Sequence, residues 1–233
     1  MAPASDDQFA AGLRGFGPLA ILAILLVLFP TTFAAGAIAG MPILIPFGAI
    51  KALVWARLSR TPWHEMGYVR PKSWITSVTL GVALGIALKF LVKAVVMPLL
   101  GGDPINHAYH FLAGNRAALP AAIWTMIIVG GWGEETLFRG FLFERLGKLL
   151  GPSAGAKAFI VLITSIGFAS LHYSDQGLAG LEQAIITGLT FGTIFAASGR
   201  LVIPMCAHAA YDLAALAMIY LNLESKVAHL VFR

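Results

Sequence analysis

Apolar runs long enough to cross a bilayer follow one another from Gly15 to Leu221, and ionisable residues are set inside several of them. A spanning helix needs about 20 predominantly apolar residues. In hydrocarbon the backbone must satisfy its own polar groups, which leaves helices and closed barrels as the spanning structures. Barrel strands would alternate over about 10 residues, and no such alternation occurs. The chain therefore reads as all-α. It is a polytopic integral membrane helical bundle of about seven transmembrane helices, with six to eight as the range. It forms a single membrane domain over residues 1–233. Composition agrees: 58% of residues are hydrophobic and 12% charged, against roughly 25% charged in soluble domains.

The net charge of +5 and pI near 9.6 raise the question of nucleic acid. The basic residues sit at the ends of apolar segments, which marks topology rather than a nucleic-acid stripe. No nucleic-acid partner is expected; the lipid bilayer is. The single cysteine, Cys206, excludes an intramolecular disulfide and reads as a small buried hydrophobe.

In chain order, residues 1–13 read as a frayed polar end. Arg14 then precedes apolar sequence from Gly15 to Ala56. This has the layout of a signal peptide, with Phe33-Ala34-Ala35 as a weak cleavage site. The hydrophobicity continues past that point, which favours an uncleaved hairpin of two spans. It would turn at Gly36 to Pro42 and bend at Pro30 and Pro46. Arg57 to Lys72 is a polar loop, with Trp63, Tyr68 and Trp74 suited to the interface. A third span, Ser73 to Leu100, carries Gly81 and Gly85 in a spacing that permits close helix contact. Lys89 and Lys93 follow on the same face and read as snorkelling.

The 101–118 loop holds His107 and His110, expected to be solvated. The fourth helix covers Leu119 to Leu150, and Gly151-Pro-Ser-Ala-Gly is a turn. The fifth runs from Ala156 to His172, with a loop beginning at Tyr173. The sixth, Leu178 to Ser198, presents Gly188, Gly192 and Ala196 for packing, and the seventh is Leu201 to Leu221. Glu144, Arg145, Lys148, Glu182 and Arg200 read as interface anchors. Basic residues place 57–72, 139–157 and Arg200 on one side, the cytoplasmic one, and 101–118 with 172–182 on the other. The expected location is the cell membrane.

Three polar groupings interrupt the apolar helices. Glu134 and Glu135 follow the run Ala121 to Gly130, and Arg139 stands at i,i+4 from Glu135, where the two can pair. Glu134 is turned about 100° from its neighbour and is free to face something else. The second grouping is Phe168-Ala-Ser-Leu-His172. The third is His208-Ala-Ala-Tyr-Asp212, whose polar ends share a face. Ionisable groups at membrane depth are costly and mark functional sites. Two chemistries fit. Glu134 and His172 can polarise a water for attack on a carbonyl, with His208 stabilising the oxyanion. Alternatively Glu134, His172 and His208 can hold a divalent metal such as Zn²⁺, which lowers the pKa of bound water to about 7. HExxH spacing is missing, so a metal is permitted rather than demanded.

The order Glu-Glu-x-x-x-Arg, Phe-x-x-x-His, His-x-x-x-Asp on successive apolar helices resembles the CAAX protease and bacteriocin-processing family, also called CPBP or Abi. The similarity covers roughly residues 119 to 222 and includes Leu137-Phe-Arg-Gly-Phe-Leu142. It implies an intramembrane endopeptidase acting on a membrane-associated protein or peptide; eukaryotic members remove the last three residues of prenylated CAAX proteins. The resemblance implies a water-activating role for Glu134 with His172, and support from Glu135 and Arg139. His208 and Asp212 would then serve the oxyanion or shape the site. Metal-dependent and metal-free mechanisms are both proposed within the family. Prenyl-processing members usually carry Asn at the position of Asp212. Ionised Asp cannot donate a hydrogen bond, so Asp212 must be protonated, orient His208, or bind a cation.

Two other classes remain open. One is a non-catalytic scaffold or immunity partner; the other is a proton-coupled transporter, against which the lack of an inverted repeat counts. The span ends also raise a difficulty of depth. Glu134 lies some fifteen residues into its helix, about 22 Å of rise, while His172 stands at a helix end. They meet only if the fourth helix is tilted or begins later, or if the fifth continues past His172.

Overall fold

The computed structural model describes residues 4–28 and 41–232, and all regular structure among them is helical. In chain order the helices are α1 (Ala4–Arg14), α2 (Pro18–Leu28), α3 (Met41–Leu58), α4 (Trp74–Leu99), α5 (Arg116–Leu150), α6 (Ala154–Ser198), α7 (Val202–Tyr220) and α8 (Glu224–Ala228). The expected frayed end is instead helical from Ala4, with Asp6 and Asp7 in the first turn and Arg14 in the last, the charge order a helix dipole favours. Pro18, whose missing N–H costs nothing at a helix start, opens α2. Pro46 stays inside α3. The cleavage-site tripeptide Phe33-Ala34-Ala35, the bend at Pro30 and most of the 36–42 turn lie outside the described residues; Met41 and Pro42 already belong to α3.

Among the described residues four helices, α4 to α7, are long and apolar enough to cross a membrane, and the pair α1–α2, bent by 64°, makes five if it counts as one crossing. Seven were expected. Part of the difference lies in α6, which Gly177 breaks with φ 61° and ψ −153°, a conformation open to glycine alone. A Cβ on Gly188 would lie 3.0 Å from Ser165 Cβ, and one on Gly192 3.3 Å from Val161 Cγ1. Along a straight helix residues 165 and 188 would stand about 35 Å apart. The two limbs, 154–176 and 178–198, therefore pack antiparallel as a hairpin and correspond to the expected fifth and sixth spans. The loop expected at Tyr173 reduces to one residue, since Tyr173 to Gln176 remain helical.

Small residues set the helix contacts. On α4 a Cβ at Gly81 would meet Cys206 Cβ at 2.6 Å, and one at Gly85 would meet the Ala207 carbonyl oxygen at 2.1 Å. These glycines thus seat α4 directly on the α7 backbone, as their spacing predicts. Gly131 lets α5 approach Ala209 of α7, and Gly133 lets it approach Ile45 of α3. Around α5 the core is Ile45, Ala49 and Trp55 from α3, Val129, Leu137 and Phe141 from α5, and Phe168 and Ala184 from α6.

Charges gather at the two ends as the topology reading requires. At one end Glu65 meets Lys148 at 2.9 Å and Arg14 at 3.6 Å, and Leu201 N–H donates to the Gly67 carbonyl. At the other, Gly114 N–H donates to Tyr220 O and Asn106 N–H to Glu224 Oε1. Glu144 and Arg145 are not interface anchors. Both are buried; Arg145 donates to both Glu144 oxygens (2.5 and 2.9 Å) and to the carbonyls of Arg14 and Gly15, with its guanidinium 4.4 Å over the Trp55 ring. The pair locks the α1–α2 turn onto α5.

Candidate active site

α5 does not hold regular α-geometry where it carries the glutamates. Its hydrogen bonds run i→i+5 over Thr125–Glu134 and again over Thr136–Leu142. Such wide turns concentrate at functional sites. Here they coincide with Gly130, Gly131 and Gly133, where the backbone presses against α7 and α3. Between the two stretches Glu135 points into the protein with no exposed surface.

Arg139 Nη1 donates to Glu135 Oε1 at 2.8 Å, the i,i+4 pairing read from the sequence. Its Nη2 donates to the Gly188 carbonyl at 3.2 Å, and the guanidinium lies 4.9 Å from the Phe168 ring and 5.9 Å from that of Phe191. Arg139 thereby ties α5 to both limbs of α6. The same Glu135 oxygen accepts His208 Nδ1–H at 2.7 Å, tying in α7 as well. His208 Nε2 then stands 3.6 Å from Glu134 Oε2 and 3.6 Å from Asp212 Oδ2, between the two carboxylates. A carboxylate can only accept, so Glu135 fixes Nδ1 as the protonated nitrogen and leaves Nε2 to face the site. Gly130 gives this arrangement room: a Cβ there would lie 2.7 Å from Asp212 Oδ2 and 3.4 Å from His208 Nε2.

His172 is fixed differently. Its Nδ1–H donates to the Phe168 carbonyl at 2.9 Å, and its ring packs on Phe168 with centroids 4.5 Å apart. Nε2 is again the nitrogen left for chemistry. Phe168 also packs edge-on against His208 at 5.8 Å, so one buried ring braces both imidazoles.

Glu134, His172, His208 and Asp212 all line one cavity of about 160 Å³. The depth difficulty disappears because the first limb of α6 continues past His172 to Gln176. All six residues singled out in the sequence thus belong to one constellation, with Glu134, His172, His208 and Asp212 on the cavity and Glu135 and Arg139 behind it. Among the described residues no group of three or more His, Cys, Asp or Glu side chains is placed to hold an ion, although Glu134, His172 and His208 share the cavity and both imidazoles keep Nε2 uncommitted to the backbone or Glu135.

The cavity also contains a lysine that the sequence reading sent towards the interface, and two residues, Gln183 and Tyr211, that it did not single out. Lys89 does not snorkel: it is buried, donates to Gln183 Oε1 at 3.0 Å, and lies 4.7 Å over the Tyr211 ring. Tyr211 O–H donates to the same Gln183 oxygen at 3.3 Å. Lys93 is likewise buried, donating to the Pro104 carbonyl at 2.6 Å and facing Glu224 at 3.4 Å. The signal available was their helical spacing from Gly81 and Gly85, which puts both lysines on the packed face of α4. Of the loop histidines, His107 is exposed beside Asp103 and His110 is half-exposed, as expected.

Residues 116–214 match the family described as "Type II CAAX prenyl endopeptidase Rce1-like". That segment, less than half of the chain, is similar to the family. It contains all three motifs, from Glu134 to Asp212, and both limbs of the α6 hairpin. The Rce1-like family is a peptidase family, and three of the helices of this chain that are long and apolar enough to cross a membrane carry the motifs. Comparison with curated proteins and with solved structures returns no match.

Proposed function

We propose that this protein is an intramembrane endopeptidase of the cell membrane, hydrolysing a peptide bond in a membrane-associated protein or peptide with water activated by Glu134 and His172. The observation that carries the reading is the single cavity onto which three helices deliver Glu134, His172, His208 and Asp212. Glu134 is the general base: it takes a proton from water as oxygen attacks the scissile carbonyl, and returns it to the departing amine. His172, its Nδ1 committed to the Phe168 carbonyl, accepts a hydrogen bond from the same water at Nε2. His208, held through Nδ1 by Glu135, presents Nε2 to the developing oxyanion and in its protonated form donates to it. Asp212 flanks Nε2 at 3.6 Å, so it serves the oxyanion through His208 rather than by donating itself. Arg139 and Glu135 are positioning residues.

The test is cleavage of a membrane-proximal peptide by purified protein and by Glu134→Ala. The variant should lose at least about 10²- to 10⁴-fold in kcat, the range for a general base, while its thermal unfolding stays close to wild type. Full turnover in the variant would remove Glu134 from the mechanism. Unchanged cellular function without any cleavage would favour a scaffold or immunity role for the same fold.

A further inference from the structure

Surface charge divides unevenly between the two ends of the bundle, and the cavity belongs to one of them. At the end where Glu65 meets Lys148 and Arg14, Arg57, Arg60, Arg70, Lys72 and Lys157 are exposed and Arg200 is half-buried. A hollow lined by His64, Glu65, Gly147, Lys157 and Gly199 joins the 57–72 loop to the turns that flank α6, so these basic residues share one face. At the opposite end the exposed basic residues, among those described, are Arg116 and Lys226. They stand with the exposed acids Asp103 and Asp175, while Lys93 is buried against Glu224. Outside the described residues only Arg233 has a charged side chain, because residues 1–3 and 29–40 carry none. The imbalance therefore holds whatever course those segments take. Lys and Arg in short loops collect on the cytoplasmic side. The Glu65 end is then cytoplasmic and the 101–118 end extracytoplasmic.

The cavity lies against the second end. α5 lines it from Thr125 to Glu134, in the half that follows Arg116, and α7 from His208 to Ile219, just before Tyr220. α6 contributes residues on both sides of its fold-back at Gly177. Asn106 and Tyr109 of the 101–118 loop line it directly. A neighbouring cavity shares Asn106, Gln176, Gly180 and Gln183 with it and is lined further out by exposed Asp103, His107 and Asp175. Polar side chains thus continue from the site to the surface of that end. Toward the basic end the packing is closed. Phe141, Phe168 and Phe191 are no more than 1% exposed, and the buried Arg139 binds α5 to α6 beside them. The hollow at the basic end shares no lining residue with the site.

Building on the endopeptidase reading, we infer that the site works on the extracytoplasmic side, and that its substrate is a membrane-anchored polypeptide whose cleaved segment has already been translocated across the bilayer. The reaction that supplies this substrate is export through the membrane, and the fragment cut from the anchor leaves on the outer face. A segment presented from the cytoplasm meets the basic end, where buried aromatic rings separate it from Glu134.

Two measurements on the full-length protein test this. In a Cys206→Ala background, Ala108→Cys marks the 101–118 loop and Gly155→Cys marks the first turn of α6. Both positions are exposed, and a Cβ at Gly155 meets nothing within 4 Å. A membrane-impermeant maleimide should label Ala108→Cys in intact cells and Gly155→Cys only after lysis. The reverse pattern, or equal labelling of both in intact cells, overturns the inference. Lipid-anchored peptides of random sequence are then added to sealed right-side-out and inside-out vesicles from cells making wild type, with Glu134→Ala vesicles as background. Right-side-out vesicles should cleave at least about tenfold faster, since a polar backbone does not cross hydrocarbon unpaired. Opening the vesicles with detergent should bring both to one rate. Equal rates before detergent, or faster cleavage by inside-out vesicles, overturn the assignment of side and leave the peptidase reading standing. If opened vesicles cleave nothing above background, the peptidase reading fails and the substrate assignment falls with it.

Discussion

His208 donates its Nδ1 proton to Glu135 Oε1 across 2.7 Å, and that same oxygen accepts Arg139 at 2.8 Å. One buried oxygen thus joins α5 to α7, while the other end of Arg139 reaches α6 at the Gly188 carbonyl. The link runs behind the cavity rather than inside it. It orients the imidazole from outside the cavity lining.

Glu135→Gln separates orientation from catalysis. An amide of the same shape can still accept from Nδ1, but it no longer stabilises an imidazolium. We expect kcat to fall by about 10²- to 10⁴-fold with KM within a few-fold of wild type. Steady-state kinetics on a cleavable peptide decide it; a change confined to KM would remove Glu135 from the relay.

Arg139→Ala should act on the fold as much as on turnover. It strands a carboxylate with no solvent exposure, and breaking such a pair costs about 3–5 kcal/mol. The Arg139 Nε and Glu135 Oε2 atoms have no hydrogen-bond partner among the described residues, so the pair is held through one bond rather than a full fork. Denaturant unfolding in detergent measures the cost. A loss below about 1 kcal/mol, the value of an exposed pair, would contradict the burial.

Two glycine substitutions should divide stability from activity. Gly130→Ala meets the movable tip of Asp212 at 2.7 Å, so the side chain shifts and the site is disturbed. Turnover should fall about tenfold or more, which corresponds to roughly 1.4 kcal/mol in the barrier, with little change in unfolding. Gly85→Ala meets the fixed carbonyl of Ala207 at 2.1 Å and must push α4 off α7, costing about 1–3 kcal/mol. Equal stability of the two variants would contradict these contacts.

At the opposite end, Glu65 makes a pH-dependent contribution. Burial alone would push its carboxyl up, but the hydrogen bond from Lys148 and the charges of Lys148, Arg14 and His64 outweigh that and hold it below its ordinary value. A depressed folded-state pKa stabilises the protein above the unfolded value of about 4.3, and that contribution is lost as pH falls through the lower folded value. Thermal midpoints measured from pH 5 to pH 3 should therefore drop more steeply for wild type than for Glu65→Gln. Parallel curves would show that the contact adds nothing.

The constellation could be read before the fold because periodicity carries it. Glu135 with Arg139, and His208 with Asp212, sit four apart, and that interval keeps them on one face even where α5 widens to i→i+5 bonding. Charge sorting likewise separates the two ends, since Arg14, Glu65 and Lys148 meet at one of them. Lys89 was read as snorkelling for a physical reason. An isolated lysine in an apolar helix has a cheap alternative in snorkelling, and its burial follows only from how deeply α4 sinks onto α7. Glu144 and Arg145 were misplaced in the same way, because the residues that enclose them, Trp55 and the α1–α2 turn, are remote in sequence. Ser174, Asp175 and Gln176 have the composition of a loop, yet they stay helical up to the fold-back at Gly177.

Gly85 lies one helical turn before Lys89, and its α-carbon is pressed against the main chain of α7. The glycine is consequently a depth stop. A methyl group added at that point would part the two helices, so how deep the ammonium sits is governed by one missing side chain.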